Sequence, residues 1–256
     1  MKILVCVKQV PVPEAIYEID SSAHWVTPGS GVAYQMNRFD ECAVEEAVRI
    51  KEAFPETVID VLSIGPSRAD AVIRRAMGMG GDNGIHIITQ SAEFQDPFTI
   101  ASWIAKMARQ NAYDLIFTGI MSEDMLQGQI GPLTAELLSI PCATAVVSLS
   151  LHKNNVQVAR EIEGGYRERV ALKLPALLTI QSGIHTPRYP SLSNLLRANK
   201  QSIQTIEART LAHPRARQAV HQVKLPQNIR NGIFLEGTTE VKADQLLRIL
   251  TERSFL

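Results

Sequence analysis

Short, largely apolar runs alternate with longer stretches whose apolar residues recur every three or four positions, and this alternation fills the first 150 residues. Ile3–Val7, Val58–Ile64, Ile85–Ile88, Leu115–Phe117 and Ala145–Leu149 are short enough to read as strands buried on both faces. Between them, Ala43, Ala47, Ile50 and Phe54, with Val44 and Val48 beside them, form one helical stripe. Ala71 to Met77 carries a second helix, and Ile100, Ile104, Met107 and Ala108 line a third. A short helix is expected from about Gly131 to Leu138. Strand and helix in turn predict an α/β fold, a doubly wound, mostly parallel sheet with right-handed crossovers.

Local signals set the expected boundaries. Asp40 is expected to cap the first helix, with Glu41 adding charge favoured at its start. Ser67 should cap the second, Gly78, Gly80 and Gly81 should break it, and Pro97 should begin the third. Residues 15–27, containing Ser21-Ser22, suggest a small hairpin. Beyond residue 150 the period changes. Residues 155–163 and 166–174 alternate in period two around Gly164-Gly165, an added β-hairpin spanning 155–174. Pro175 to Ile180 is one more strand, and after Pro187 the chain turns polar and basic. This divides the chain into an α/β domain, residues 1–200, and an extended C-terminal tail, residues 201–256, with a final helix near 243–250. The tail is too thin for its own core and should pack on this domain or on a partner.

Composition excludes several classes. Hydrophobic content of 45% with 20% charge predicts a packed core. A formal net charge of zero with 5% aromatic residues argues against nucleic acid as the main partner. Cys6, Cys42 and Cys142 are scattered without a CxxC pair, and no two histidines stand at ligand spacing, so no metal centre is expected. The five apolar residues between Lys2 and Lys8 are too few for a signal peptide or a membrane span. A soluble, cytoplasmic protein is the expectation.

No GxGxxG follows the first strand and no Walker loop exists. In open sheets a ligand sits at the carboxyl ends of the strands. That directs attention to Cys6–Gln9, Asn37–Phe39, Gly65-Pro66 and the loop after Gly119. Asn37 and Phe39 are surplus to the needs of helix initiation. In Ser122–Pro132, Gly128 and Gly131 permit close backbone approach, and the helix that follows offers free N–H groups to a phosphate. The same loop also reads as an ordinary surface loop with glycine turns. Glu161 and Glu163 could form an acid–base pair or simply be solvated strand-face charges, with Arg160 as an ion-pair partner. Leu192, Leu195 and Leu196, flanked by Arg and Lys, fit either an amphipathic helix docked on its own domain or an exposed leucine anchor for a protein partner.

Taken in order, these pieces resemble the β (small) subunit of electron transfer flavoproteins, FixA-type members included. The resemblance rests on Lys2–Pro11, Met36–Ala47, Ala76–Gly80, Arg160–Gly165, Leu172–Ala176 and Pro187-Arg188-Tyr189, and runs to about Lys200. It implies an adenine nucleotide α-hydrolase-like fold and a heterodimer with a larger α subunit, with which the redox FAD is shared. It also implies a second nucleotide in the β subunit, AMP in conventional members and FAD in electron-bifurcating ones. By the match, Cys6, Asn37, Gly119, Gly128, Gln129 and Ile130, with Gly131 beside them, would surround that nucleotide. Phe39 would lie near the flavin at the subunit interface, and Glu161 would join an interface ion pair. Leu192, with Leu195 and Leu196 in the 187–200 recognition segment, would anchor a flavin-containing dehydrogenase.

The long loop departs from both patterns. Bifurcating members carry Asp-x-Asp-Thr-Ala-Gln-Val-Gly-Pro, whereas here Leu126 and Gln127 replace the second Asp and the Thr. Conventional members have Asn at the Gly128 position and Thr at the Ile130 position. The second nucleotide therefore stays open between AMP and FAD, the Gly131-Pro132 ending favouring FAD. An ATP-cleaving enzyme of similar fold would need a Ser-Gly-Gly-x-Asp loop after the first strand, which Lys8–Pro11 is not. A nucleotide-binding module without redox partners would leave the 187–200 segment unexplained.

Overall fold

The computed structural model describes residues 1–19, 25–29, 31–90, 94–212, 214–224 and 232–255. The chain runs β1 (Lys2–Cys6), β2 (Gln9–Pro11), β3 (Tyr17–Ile19), β4 (Val26–Pro28), β5 (Tyr34–Met36), α1 (Arg38–Ala53), β6 (Val58–Gly65), α2 (Asp70–Met79) and β7 (Asn83–Ile88). It continues α3 (Pro97–Asn111), β8 (Leu115–Gly119), α4 (Ile130–Leu138), β9 (Cys142–His152), β10 (Asn155–Glu161), β11 (Arg167–Lys173) and β12 (Ala176–Ile180). The last elements are α5 (Leu192–Lys200), β13 (Ile203–Glu207) and α6 (Thr239–Glu252).

The main sheet has nine strands in the order β11-β10-β9-β12-β8-β1-β6-β7-β13. Every pairing from β9 to β13 is parallel, and only β9-β10-β11 run antiparallel. The doubly wound architecture read from the alternation is the one observed. Side chains alternate across the central strands as the two-residue period requires. Ile3, Val5, Ile59, Val61, Leu115 and Phe117 face α1, α2 and α5. Leu4, Leu62, Ile85, Ile87, Ile116 and Leu177 face α3 and α4. Both faces are buried, which is why these strands read as continuous apolar runs.

The winding reverses at β1. From β1 the chain goes through α1 to β6 and through α2 to β7, then returns through α3 to β8 on the other side of β1. Such a switch point leaves a crevice at the carboxyl ends of β1 and β8.

Several local expectations change. Asp40 does not cap α1: the N-cap is Asn37, with no side-chain capping bond, and Asp40 is buried within the first turn. Its carboxylate is drawn instead to backbone N–H groups at the ends of β1 and β8. Ser67 opens a short 3-10 turn, and α2 starts at Asp70. Gly78 stays inside α2, and the break falls at Gly80, whose φ of 143° suits glycine. β3 and β4 form the small hairpin expected from residues 15–27, its Ser21-Ser22 turn lying outside the described residues. The hairpin at Gly164-Gly165 forms as expected.

The main unit extends past residue 200. β13 adds an edge strand beside β7, and Ala208 and Leu211 enter the core on the α3 face, so this unit spans Met1–Val223. Its two apolar residues, Ile203 and Ile206, are too few to mark that strand by pattern alone. A second unit, Lys224–Leu256, contains α6, capped by Thr238. Within it, Phe234, Val241, Leu246 and Leu247 are exposed.

Candidate nucleotide site at the sheet switch point

The carboxyl ends of β1, β6 and β8 and the start of α4 surround a cavity of about 290 Å³. Cys6, Asn37, Gly119, Gly128, Gln129, Ile130 and Gly131 all line it. Phe39 does not: it is half-buried in the first turn of α1, its backbone pressed against Gly119.

Asn37 is buried and committed to the loop above the cavity. Its amide donates to the Met121 carbonyl at 2.9 Å and accepts from the Glu123 N–H at 3.1 Å. Its own N–H donates to the Lys8 carbonyl at 3.0 Å. One side chain thus ties the end of β1, the start of α1 and the loop after β8. Sequence reasoning placed Asn37 at the ligand; the geometry adds that its amide also builds the cavity wall.

Asp40 completes the junction. One carboxylate oxygen accepts from the Lys8 N–H at 2.7 Å and the other from the Gly119 N–H at 2.9 Å. Burial pushes its pKa up to about 7, although these N–H bonds and the Lys8 charge pull the other way. Gly119 is glycine because a Cβ there would strike Asp40 and Phe39. Burial, with Asp40 contributing, also pushes the Cys6 thiol well above its ordinary range, so it stays protonated and un-nucleophilic.

Charge enters from Lys8, whose ammonium meets Asp124 at 2.7 and 2.8 Å and Ser122 at 3.2 Å. The Arg68 guanidinium lies 4.2 Å from the centre of the Tyr34 ring, at the cavity edge. Gln9 donates to the Arg68 carbonyl at 2.9 Å, leaving its buried Oε1 without a protein partner. Sequence reasoning reached Lys8 and Asp124 only as members of candidate segments, gave Asp40 the role of a helix cap, and did not single out Arg68. Lys8 carried a signal, since it directly follows the first strand. Asp40 was hidden by its resemblance to a cap.

The first turn of α4 lines the cavity through Gln129, Ile130 and Gly131, and no side chain caps it. Its leading N–H groups remain available, as anion binding requires. Gly131 has a packing reason as well: a Cβ would meet Thr179, Thr118 and Leu177, so glycine lets α4 sit close on β12 and β8. Apolar walls from Leu62, Ile64, Ile100 and Ile104 finish the cavity. Apolar walls, an open helix start and an orphaned amide oxygen fit a nucleotide. Among the described residues, no group of three or more His, Cys, Asp and Glu is placed to hold a metal ion, and no helix is long and apolar enough to cross a membrane.

The remaining predicted residues lie outside the cavity lining. Glu161 ends β10 and accepts from Gln181 at 3.2 Å. Leu192 and Leu196 are 73% and 54% exposed on α5, while Leu195 turns inward against Gly78 of α2.

The electron transfer flavoprotein domain matches residues 25–211. The electron transfer flavoprotein subunit beta of Mus musculus is 37% identical over 83% of this chain and 84% of its own. The subunit beta of Methylophilus methylotrophus is 30% identical over 98% of both chains, and that of Bacillus subtilis (strain 168) is 30% identical over 90% of this chain and 88% of its own. With the doubly wound sheet and its switch-point cavity, these matches establish that the chain belongs to the electron transfer flavoprotein family, among its β subunits.

Proposed function

We propose that this chain is the smaller subunit of a heterodimeric electron carrier, that its switch-point cavity holds an adenine nucleotide, and that Leu192 and Leu196 engage a flavin-containing dehydrogenase. The observation that carries the reading is the convergence of Cys6, Asn37, Gly119 and Gly128–Gly131 on one cavity. The start of α4 would receive the phosphate, and the Gln9 amide would meet a polar group of the ligand. No general acid or nucleophile is required of this chain.

About 290 Å³ lies at the small end of ligand pockets. AMP is the occupant we propose, with FAD, supported by the Gly131-Pro132 ending, as the second reading. A redox FAD, shared with an α subunit, would supply the one- and two-electron chemistry. This chain's residues would bind, orient and exclude water, with Phe39 and Glu161 on the subunit interface. The 224–256 unit, through α6, would reach the α subunit.

The test is a nucleotide count on the co-purified heterodimer. One FAD and one AMP per heterodimer are expected. Two FAD without AMP would replace this reading with a bifurcating one. FAD alone, with no second nucleotide, would overturn the assignment of the cavity.

A further inference from the structure

α5 has nine residues, too few to hold a helix in water unaided, yet two of its leucines face outward. Its surroundings supply what its length does not. Immediately before it, the Arg188 guanidinium makes a two-pronged contact with the buried Glu45 carboxylate at 2.8 and 2.9 Å. The Arg188 N–H adds a third bond to Glu45 at 3.1 Å. The same guanidinium reaches Glu52, about two turns further along the same side of α1, at 2.5 and 3.2 Å. Three residues separate this clamp from Leu192, and one of them, Ser191, caps α5 by accepting from the Asn194 N–H at 3.3 Å. At the far end, Arg74 donates to the carbonyls of Ala198, Asn199 and Gln201 at 2.9, 3.0 and 3.3 Å.

An exposed apolar pair held this firmly at both ends is built for contact without rearrangement, because a preformed anchor avoids the ordering cost of binding. We infer that Arg188 is a positioning residue: clamped on Glu45 and Glu52 of α1, it fixes the entry to α5 so that Leu192 and Leu196 meet the dehydrogenase already in place. The inference rests on the docking role proposed above for these leucines. It adds that the docking surface is mounted on α1 through a guanidinium fork, which a lysine ammonium cannot reproduce.

The test is a double-mutant cycle on the intact heterodimer, with a purified FAD dehydrogenase, selected because it reduces the wild-type complex, as the probe. Leu192→Ala should raise the KM for the heterodimer about tenfold, the loss of a central apolar anchor. Arg188→Gln should raise it by a similar factor, with kcat affected far less. Arg188→Lys should fall between wild type and Arg188→Gln. Added to Leu192→Ala combined with Leu196→Ala, Arg188→Gln should cost nothing further, because Arg188 acts through these two leucines. An additive further loss, about tenfold, would overturn the inference and leave the docking role standing. An unchanged KM in Leu192→Ala would overturn both. Should Arg188→Gln fail to fold, Arg188→Lys and Glu52→Gln carry the test: a KM unchanged in both overturns the clamp.

Discussion

Helix α1 serves two regions through opposite chemistry. Its first turn holds the cavity through Asn37 and Asp40, both buried, whose partners are backbone groups of Lys8, Gly119, Met121 and Glu123. Its flank holds the α5 segment through carboxylates paired with side-chain cations. Glu45 and Glu52 meet Arg188 just before α5, Glu41 meets Arg75 of α2 at 2.8 Å, and Glu46 lies 2.6 Å from the His185 imidazole, whose pKa burial lowers. The cavity side is dry, fixed by short-range hydrogen bonds, and intolerant of a missing partner. The flank is partly wet, so its strength depends on geometry and salt. One rigid element can thus mount two sites that respond to different perturbations.

The largest effect should come from Asp40→Ala. It leaves the Lys8 and Gly119 N–H groups buried without acceptors, a loss of about 2–5 kcal/mol by the usual penalty for unsatisfied donors. Urea unfolding of the chain measures it, and a loss near zero would show that the junction does not depend on this carboxylate.

Next comes Asn37→Ala, which removes both side-chain bonds to the Met121–Glu123 loop. Retention of the cavity nucleotide after gel filtration should fall about tenfold, the fold remaining intact, as expected for two lost hydrogen bonds of about 1 kcal/mol each. Full retention would remove Asn37 from the binding machinery.

A pH series sharpens the dry side. Asp40, raised to about 7 in the folded chain, takes up its proton more readily there than when unfolded. The native state therefore binds more protons between about pH 4 and pH 7, and this contribution to stability fades as pH rises through that window. Unfolding midpoints of wild type and Asp40→Asn should accordingly diverge in slope, the wild type losing ground to the variant from pH 5 to pH 8. Parallel curves would mean that Asp40 is ionised throughout.

The smallest effect belongs to the flank. Raising the salt from about 0.05 to 0.5 M should speed hydrogen exchange of α5 amides a few-fold, since partly exposed pairs are worth about 1 kcal/mol or less. The Gly119 amide, held by the buried Asp40 carboxylate, should not respond. Equal response in both regions would erase the distinction between them.

The same division decides what was legible in the sequence. The α/β alternation was plain because both faces of strands such as Ile3–Val7 are buried, so pattern and burial coincide. The cavity residues were legible from glycines, an extra asparagine and a family pattern. Asp40 was misread because an acid in the first turn of a helix normally serves the helix itself, whereas here it serves two neighbouring strands. β13 was missed because an edge strand is only half-covered and carries little periodic signal. The α1–Arg188 clamp was invisible for a different reason. Glu45 and Arg188 lie 143 positions apart, and no local pattern links charges that meet only after folding. Leu195 shows the limit of composition: three leucines read alike in sequence, and only packing against Gly78 sets one apart.

The most direct measurement sets Asn37→Ala beside Leu192→Ala in the same heterodimer, reading bound nucleotide and the KM for the dehydrogenase in each. The account predicts a crossed result: Asn37→Ala loses nucleotide with little change in KM, and Leu192→Ala raises KM with nucleotide content intact. Loss of both properties in both variants would contradict the claim that α1 mounts two separable sites.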